Sequence, residues 1–234
     1  MDPVLRNVLL LYAGLILINA ALAAVLWARN RDELFRSLFF VWASTCLSFG
    51  AQGALQETPL LRVLAFTTVF LVNLSLAYLF GHAVGVAIAW RRFAVVLGGS
   101  VLIAIGTAAA GAPFWLIALP VTIGVCLPTA VTGIVVIATR WKLLTVAGKV
   151  LTLSSLVFAA HNLDYAFLRD KPEFATFGFT VATLIIFLLS ISGPAVALEI
   201  VAQRQARTAA ELEAARRIQS MILPRLFGSM SVLK

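Results

Sequence analysis

Charged side chains are scarce in this sequence. Asp, Glu, Lys and Arg together make up 12% of the 234 residues, whereas hydrophobic residues make up 62%. A soluble protein of this length does not need so large an apolar share, so the composition predicts a chain that lies largely within a lipid bilayer. The net charge of +8 would suit a nucleic-acid-binding protein, but the basic residues stand between apolar segments, where membrane topology explains them.

Cysteine and internal repetition are scarce as well. Cys46 and Cys126 both lie inside apolar segments, which predicts two buried thiols and no disulfide. Neither their spacing nor their neighbours in the sequence indicate a metal site. The sequence has no strong internal repeat and no low-complexity segment, so it gives no sign of the duplicated organisation that many transporters have.

Seven apolar runs are long enough to cross a bilayer as helices. We therefore predict an all-α, polytopic membrane protein whose seventh span continues without a loop into a charged, amphipathic helix. Residues 1–197 would form the transmembrane domain, residues 198–224 the cytosolic helix, and residues 225–234 a tail. The seven runs are residues 8–27, 38–55, 63–90, 94–111, 115–138, 150–168 and 177–200.

The distribution of Lys and Arg predicts how the chain is oriented. Seven spans place the two ends on opposite sides, and short cytosolic loops carry the excess of Lys and Arg. One set of connections contains only Arg6, Arg62, Arg169 and Lys171. The other set and the carboxyl-terminal segment contain Arg29, Arg31, Arg36, Arg91, Arg92, Arg140, Lys142, Lys149, Arg204, Arg207, Arg216 and Arg217. The amino terminus is therefore predicted outside and the carboxyl terminus in the cytosol.

Tryptophan gives a second, independent signal of the same orientation. Trp27, Trp90 and Trp141 all fall at predicted inner boundaries of the spans. Tryptophan is enriched at membrane–water interfaces, where it forms aromatic belts.

Polar residues crowd the outer half of the sixth span, where His161, Asn162, Asp164 and Tyr165 are followed by Arg169. His161 and Asp164 are three residues apart, so they share a helix face. Ionisable groups inside a membrane mark functional sites, and histidine titrates near physiological pH. We therefore predict a pocket that opens outward and binds a small ligand or senses protons. The alternative is a structural network, with Asp164 paired to Arg169.

Two residues of the third span extend this hypothesis. Asn73 and His82 make that span slightly polar, and we include both in the predicted sensing pocket. His82 and His161 lie on different spans, so they are also candidate axial ligands of a haem, the alternative being two unrelated interior histidines. A retinal photoreceptor needs a Schiff-base lysine in a helix, and residues 177–200 contain none, which argues against retinal. We expect no cofactor.

The charged helix after the seventh span has a weak heptad pattern. Its Gln, Thr and Ala residues bury little apolar area, which predicts a marginal parallel coiled-coil dimer that shifts easily between registers. The alternative is a single amphipathic helix on the membrane surface. Gly193 and Pro194 interrupt the seventh span, and we predict a hinge there because proline kinks helices. The predicted seam consists of Val201, Gln205, Thr208, Leu212, Ala215, Gln219 and Ile222.

The segment ELEAARRIQSMILPR, residues 211–225, resembles the linker before the catalytic domain of bacterial metal-dependent serine phosphatases of the sporulation and stress-response regulator type. Those linkers read Glu-Leu-Glu-x-Ala-Arg-x-Ile-Gln and end in Leu-Pro. Membrane-bound class III nucleotide cyclases have a similar Leu-Pro ending. The resemblance implies a bacterial inner-membrane protein with a phosphatase or cyclase output.

Only residues 225–234 follow Pro224, and they contain no metal-binding aspartates. We therefore expect this chain to lack a catalytic domain and not to be an enzyme by itself. It would be an isolated input module, a shortened form of a longer protein, or a natural regulator.

A second resemblance covers HNLDYAFLRDKPEFATFGF, residues 161–179. It is similar to an His-x-x-Asp-Tyr-Pro-Phe-Leu-Arg stretch in multi-span sensor regions of bacterial signalling proteins, which precede various output domains. Ala166 stands where those sequences have proline, so the helix is expected to continue further here. The resemblance implies a sensor input domain and does not indicate a ligand.

The leading functional hypothesis is a seven-helix receptor of the bacterial inner membrane that forms a parallel homodimer. A small ligand in the pocket of the sixth span would shift the bundle, and the seventh helix would transmit that shift to the cytosolic helices. The alternatives are a membrane protein that carries haem, a small-solute carrier, and a scaffold that recruits a partner through its cytosolic helix. We expect no nucleic-acid partner.

Overall fold

The computed structural model of the protein describes residues 3–55 and 57–228, and every regular element in these residues is helical. This confirms the all-α prediction. Two short 3₁₀ turns, Trp141–Leu143 and Pro172–Phe174, supplement the α-helices. The α-helices are α1 (Pro3–Asn30), α2 (Glu33–Ala54), α3 (Pro59–Phe66), α4 (Val69–Val84), α5 (Trp90–Ala109), α6 (Phe114–Arg140), α7 (Val146–Leu168) and α8 (Ala175–Gly228).

Within the described residues, seven helical segments are long and apolar enough to cross a membrane. They are α1, α2, the pair α3 and α4, α5, α6, α7 and the first part of α8. The number matches the seven apolar runs of the sequence, so the prediction of a multi-pass membrane protein is supported. A bilayer favours this architecture because each helix satisfies its own backbone hydrogen bonds.

The third span departs from the prediction in two ways. It is interrupted at Thr67 and Thr68, whose hydroxyl groups donate to the carbonyl oxygens of Leu64 and Ala65 at 2.6 Å. It also ends at Val84 instead of residue 90, because Gly85 adopts φ +69° and its N–H closes the helix on Gly81. The continuous helix predicted over residues 63–90 was therefore wrong. Trp90 belongs to the next helix, α5.

Helix α6 occupies the centre of the bundle, since it packs against α4, α5 and α7. Its buried face carries small and β-branched residues such as Thr122, Val125 and Gly133. Thr129 Oγ1 donates to the backbone oxygen of Asn73 on α4 at 2.9 Å. Small residues and interhelical hydrogen bonds hold helices together inside a membrane, where lipid tails are as apolar as the side chains.

Helices α1 and α5 are the least buried of the seven long apolar segments in the described residues. Their large apolar side chains point away from the rest of the bundle, with Leu10 and Ile18 more than half exposed on α1, and Val95 and Leu102 on α5. In water such a surface would be costly, but it suits contact with lipid.

Helix α8 is continuous from Ala175 to Gly228, although Gly193 and Pro194 lie within it. The chain divides into two compact units, one ending at Val196 and the other beginning at Ala197. The second unit is helical through residue 228, and ion pairs between Arg207 and Glu211 (3.0 Å) and between Glu213 and Arg217 lie along it. Such pairs, four residues apart, stabilise an exposed helix.

The tight packing of α6 against α7 generates a stability prediction. A Cβ at Gly133 would lie 2.9 Å from Cγ of Leu156, whereas a Cβ at Gly106 would meet nothing within 4 Å. We expect Gly133→Ala to lower the free energy of unfolding by about 1–3 kcal/mol, because an overpacked side chain must shift. Gly106→Ala is the matched control and should be neutral or slightly stabilising. Equilibrium unfolding in mixed detergent micelles measures both; equal effects would contradict the contact.

Candidate functional site

A cavity of about 570 Å³ lies within the first unit, between residues of α1, α2, α3, α4, α7 and α8. We call it the bundle cavity. Its polar and charged lining residues are Tyr12, Thr45, Ser48, Gln52, His161, Asn162, Asp164, Tyr165, Arg169 and Lys171. Its apolar lining includes Leu5, Leu9, Phe49, Phe66, Val69, Val72, Phe158, Leu168, Phe174 and Phe179. This volume falls in the range of roughly 300–1,000 Å³ that is usual for small-molecule sites.

Five of the predicted sensing residues meet at this cavity. His161, Asn162, Asp164, Tyr165 and Arg169 all line it. They do so because α7 remains helical through Leu168 and presents the four-residue polar stretch on the side that faces the other helices. Helical spacing in the sequence was therefore sufficient to predict that these residues lie on one side of the helix.

His161 and Asp164 form the closest polar contact of the cluster. Nδ1 of His161 lies 2.7 Å from Oδ2 of Asp164, and the two side chains are 15% and 36% exposed. The structure thus pairs Asp164 with His161, while the guanidinium of Arg169 lies over the ring of Phe179 at 6.0 Å. The alternative pairing of Asp164 with Arg169 is replaced by a histidine–carboxylate pair inside the cavity.

Asn162 carries a buried side-chain donor that faces no acceptor among the described residues. It is 8% exposed, and its Nδ2 has no hydrogen-bond partner within the described part of the chain. A buried amide without a partner costs about 1–3 kcal/mol. A site that keeps such a donor gains that energy back when a ligand or a water molecule accepts the hydrogen bond.

Tyr165 has a structural role beside its place in the cavity. Its hydroxyl donates to the backbone oxygen of Arg62 at 2.9 Å, and its ring stacks on Phe66 with 3.9 Å between centroids. Arg62 also pairs with Asp170 at 3.0 Å. These contacts join the end of α7 to α3. The sequence did not indicate Arg62 or Phe66, because both depend on a contact between distant segments.

The structure does not bring His82 and Asn73 to the cavity, so their inclusion in the pocket is corrected. His82 lies near the start of α2, with Nδ1 3.1 Å from Oγ of Ser37 and Nε2 3.5 Å from Oε2 of Glu33. Asn73 is fully buried and its Nδ2 donates to Val69 O at 3.1 Å. Helical spacing predicts a face within one helix, but not which partner helix meets it.

The two histidines therefore engage different partners, His82 a serine and a glutamate, and His161 an aspartate. No cluster of three or more His, Cys, Asp and Glu side chains that could hold a metal ion occurs in residues 3–55 and 57–228. A haem with His82 and His161 as axial ligands would have to displace these partners. The haem hypothesis stays a prediction.

Gly193 lies at a close helix contact. It is buried, and a Cβ there would lie 3.0 Å from Cδ1 of Leu38 on α2. A small residue is therefore favoured at this position because two helices approach closely. The hinge assigned to Gly193 and Pro194 stays a prediction. Pro194→Ala is a better probe of a hinge than a change at Gly193, which would also disturb Leu38.

Sequence reasoning missed the walls that α1, α2 and α8 contribute. The ring of Tyr12 lies 5.4 Å from that of Phe49 and 6.2 Å from that of Phe179. Gly53 and Gly178 leave open space beside the cavity, since a Cβ at either would meet nothing within 4 Å. The sequence did contain one signal of this cavity, since Gly53 and Gly178 lie at the same predicted end of the bundle as the polar cluster.

The Tyr165 hydrogen bond generates a second prediction. Tyr165→Phe keeps the stacked ring and removes only the hydroxyl, so we expect a loss of about 1 kcal/mol in the free energy of unfolding. Tyr78→Phe is the matched control, because Tyr78 is half-buried, lies outside the cavity, and contacts His82 through its ring. Thermal denaturation of both variants in detergent measures the difference. An unchanged Tyr165→Phe protein would show that the bond adds nothing to stability.

Comparisons with known proteins do not add to these observations. No family model, no curated protein and no solved structure matches this chain. The linker-like segment at residues 211–225 and the stretch at residues 161–179 therefore remain resemblances, and their implications remain expectations.

Proposed function

We propose that this chain is the membrane input module of a signalling protein, in which the bundle cavity binds a small ligand and α8 transmits the event. One observation carries the proposal. The beginning of α8 and the residue before it form part of the cavity wall, through Phe174, Ala175, Gly178, Phe179 and Ala182. The same helix continues without interruption to Gly228. A ligand in contact with the beginning of a helix can change how the rest of that helix packs.

The arrangement of charge supports a cytosolic position for the later part of α8. The cavity is built where α1 begins, α2 ends, α7 ends and α8 begins. The connections at that end are poor in Lys and Arg, whereas those at the other end are rich in them. By the positive-inside rule the ligand enters from the outer side of a bacterial inner membrane and the signal leaves on the cytosolic side.

The signal requires unequal binding to two states of the bundle. A ligand shifts a conformational equilibrium only by its difference in affinity between the states. The contacts available for such a difference are the His161–Asp164 pair on α7 and the Phe179 ring on α8 beneath Arg169. A ligand that bridges α7 and α8 would favour the state in which the distance between these two helices matches the size of the ligand.

A parallel dimer of the second unit is the proposed receiver of the signal. In one chain the seam residues from Gln205 to Gln219 are exposed, and Leu212 retains 57% of its surface. The side chain of Ile222 lies outside the described residues. A second copy that covers the seam would bury Leu212, while the weak Thr, Gln and Ala positions would keep the register adjustable. The resemblance of residues 211–225 to phosphatase linkers supports a phosphatase or cyclase as the output.

Cysteine cross-linking between chains tests the dimer. Single cysteines placed from Val201 to Met221 in the full chain, in lipid nanodiscs, should cross-link most strongly at seam positions such as Thr208 and Leu212. Gln203 and Ala210 face away from the seam and should cross-link weakly. The protein with only Cys46 and Cys126 is the background control. A monomer without periodic cross-links would contradict the proposed parallel dimer.

Filling the cavity tests the coupling without knowledge of the ligand. Ala182→Phe places a ring in the cavity from the wall of α8, so we expect a changed cross-linking pattern over the seam. Leu184→Phe is the matched control on the same helix, because Leu184 is 61% exposed and does not line the cavity. If folded Ala182→Phe protein and the parent gave identical cross-linking patterns, the cavity would not be coupled to the seam region of α8.

A further inference from the structure

The bundle cavity has two chemically different parts. One part is apolar and draws on residues such as Leu9, Phe49 and Val72, from α1, α2 and α4. The other part holds Asn162, Arg169 and Lys171, at the end of α7 and in the turn that follows. A uniformly apolar cavity would suit a lipid tail, and a uniformly polar one a sugar or an amino acid. The combination suits a molecule with an apolar chain and one polar head.

The charges at the polar part indicate the sign of that head. The charged side chains among the described lining residues are Asp164, Arg169 and Lys171. The carboxylate of Asp164 is already engaged by His161 at 2.7 Å, so the two cations predominate. An arginine presents its N–H groups as a fork that matches the two oxygens of an oxyanion.

The orphan amide of Asn162 indicates the same chemistry independently. Its Nδ2 is a hydrogen-bond donor that lacks a partner in residues 3–55 and 57–228, on a side chain that is 92% buried and lines the cavity. A donor of this kind requires an acceptor. An oxyanion accepts strong hydrogen bonds, whereas an ammonium head has no atom that can accept one.

We propose that the bundle cavity binds a single-chain amphiphile with an oxyanion head, of which a medium- or long-chain carboxylate is the simplest. Asn162 and Arg169 hold the head, and the apolar part of the cavity takes the chain. The proposal rests on the proposed function, because it names the ligand class of the same site. It adds a chemical identity that the resemblance to sensor regions does not supply.

The test uses the full chain in nanodiscs, labelled by a dodecanoate that carries a photoreactive diazirine in its chain. Because the diazirine lies in the chain, labelled peptides should come from α1, α2 and α4, which form the apolar part of the cavity. Unlabelled dodecanoate and dodecyl phosphate should compete at concentrations at least tenfold lower than dodecanol, and dodecyltrimethylammonium should compete least. Partition into empty nanodiscs is measured for each compound, and free concentrations are compared. A preference for dodecanol or for the ammonium compound would overturn the oxyanion head.

Chain length tests the apolar part of the cavity. Each methylene moved from water to an apolar site tightens binding roughly fourfold. We therefore expect competition to strengthen steadily from octanoate to decanoate to dodecanoate, at equal free concentration. Octanoate and dodecanoate that compete equally would show that the chain lies outside the cavity and would overturn the amphiphile.

Matched variants test the named residues. Asn162→Leu and Arg169→Gln should each weaken dodecanoate about tenfold, as the loss of a hydrogen bond to a charged group predicts, and should weaken dodecanol less, because its hydroxyl group accepts only a neutral hydrogen bond. Arg36→Gln is the control, since Arg36 pairs with Glu33 at the other end of α2. Arg169 is half-buried and its variant should fold even if Asn162→Leu does not. Parent-like affinity in folded Arg169→Gln would overturn the assigned head site.

Two results separate this inference from the proposed function. Dodecanoate that binds as described but leaves the cross-links of α8 unchanged would keep the ligand class and overturn the coupling. An Ala182→Phe variant that changes the cross-links, in a protein that dodecanoate does not label, would keep the coupling and overturn the ligand class.

Discussion

Backbone hydrogen bonding inside a bilayer is the constraint on which this structure depends. Lipid offers no partner to an N–H or a carbonyl group, so a spanning segment must be helical or capped within the protein. Where the third span departs from a helix, Thr67 and Thr68 bond back to the preceding turn and Gly85 closes the helix end. Hydroxyl groups elsewhere behave in the same way, as Thr45 and Ser155 do toward the carbonyl four residues earlier.

The same constraint makes the exceptions informative. Most buried polar side chains of the bundle donate hydrogen bonds to backbone oxygens of their own helix, so their polar groups are satisfied locally in apolar surroundings. The polar end of α7 does otherwise, because His161 and Asp164 bond to each other and Nδ2 of Asn162 is unmatched within the described residues. An arrangement that costs stability in the empty protein is expected where a ligand completes it.

The predictions from the sequence differ in accuracy for a physical reason. Apolar periodicity and length report the properties of one helix at a time. The prediction of seven long apolar helices, as found in the described residues, and of a shared face for His161 and Asp164 was therefore correct. The continuous helix over residues 63–90 was wrong because a pair of threonines interrupts the apolar run at residues 67 and 68 and an αL glycine ends it at residue 85. The placement of His82 in the pocket was wrong because it depends on which helix packs against α4.

The sequence by itself determined that the chain is helical, that it has seven segments suited to a bilayer, and that α8 continues beyond the last of them. These properties follow from local composition, since each helix satisfies its own backbone and needs only a sufficient length of apolar residues. The tertiary structure alone decided that Tyr12, Phe49 and Phe179 line the same cavity as the polar end of α7, and that Gly193 lies close to Leu38. A cavity is a property of several helices together, and its shape depends on side-chain packing that no single segment encodes.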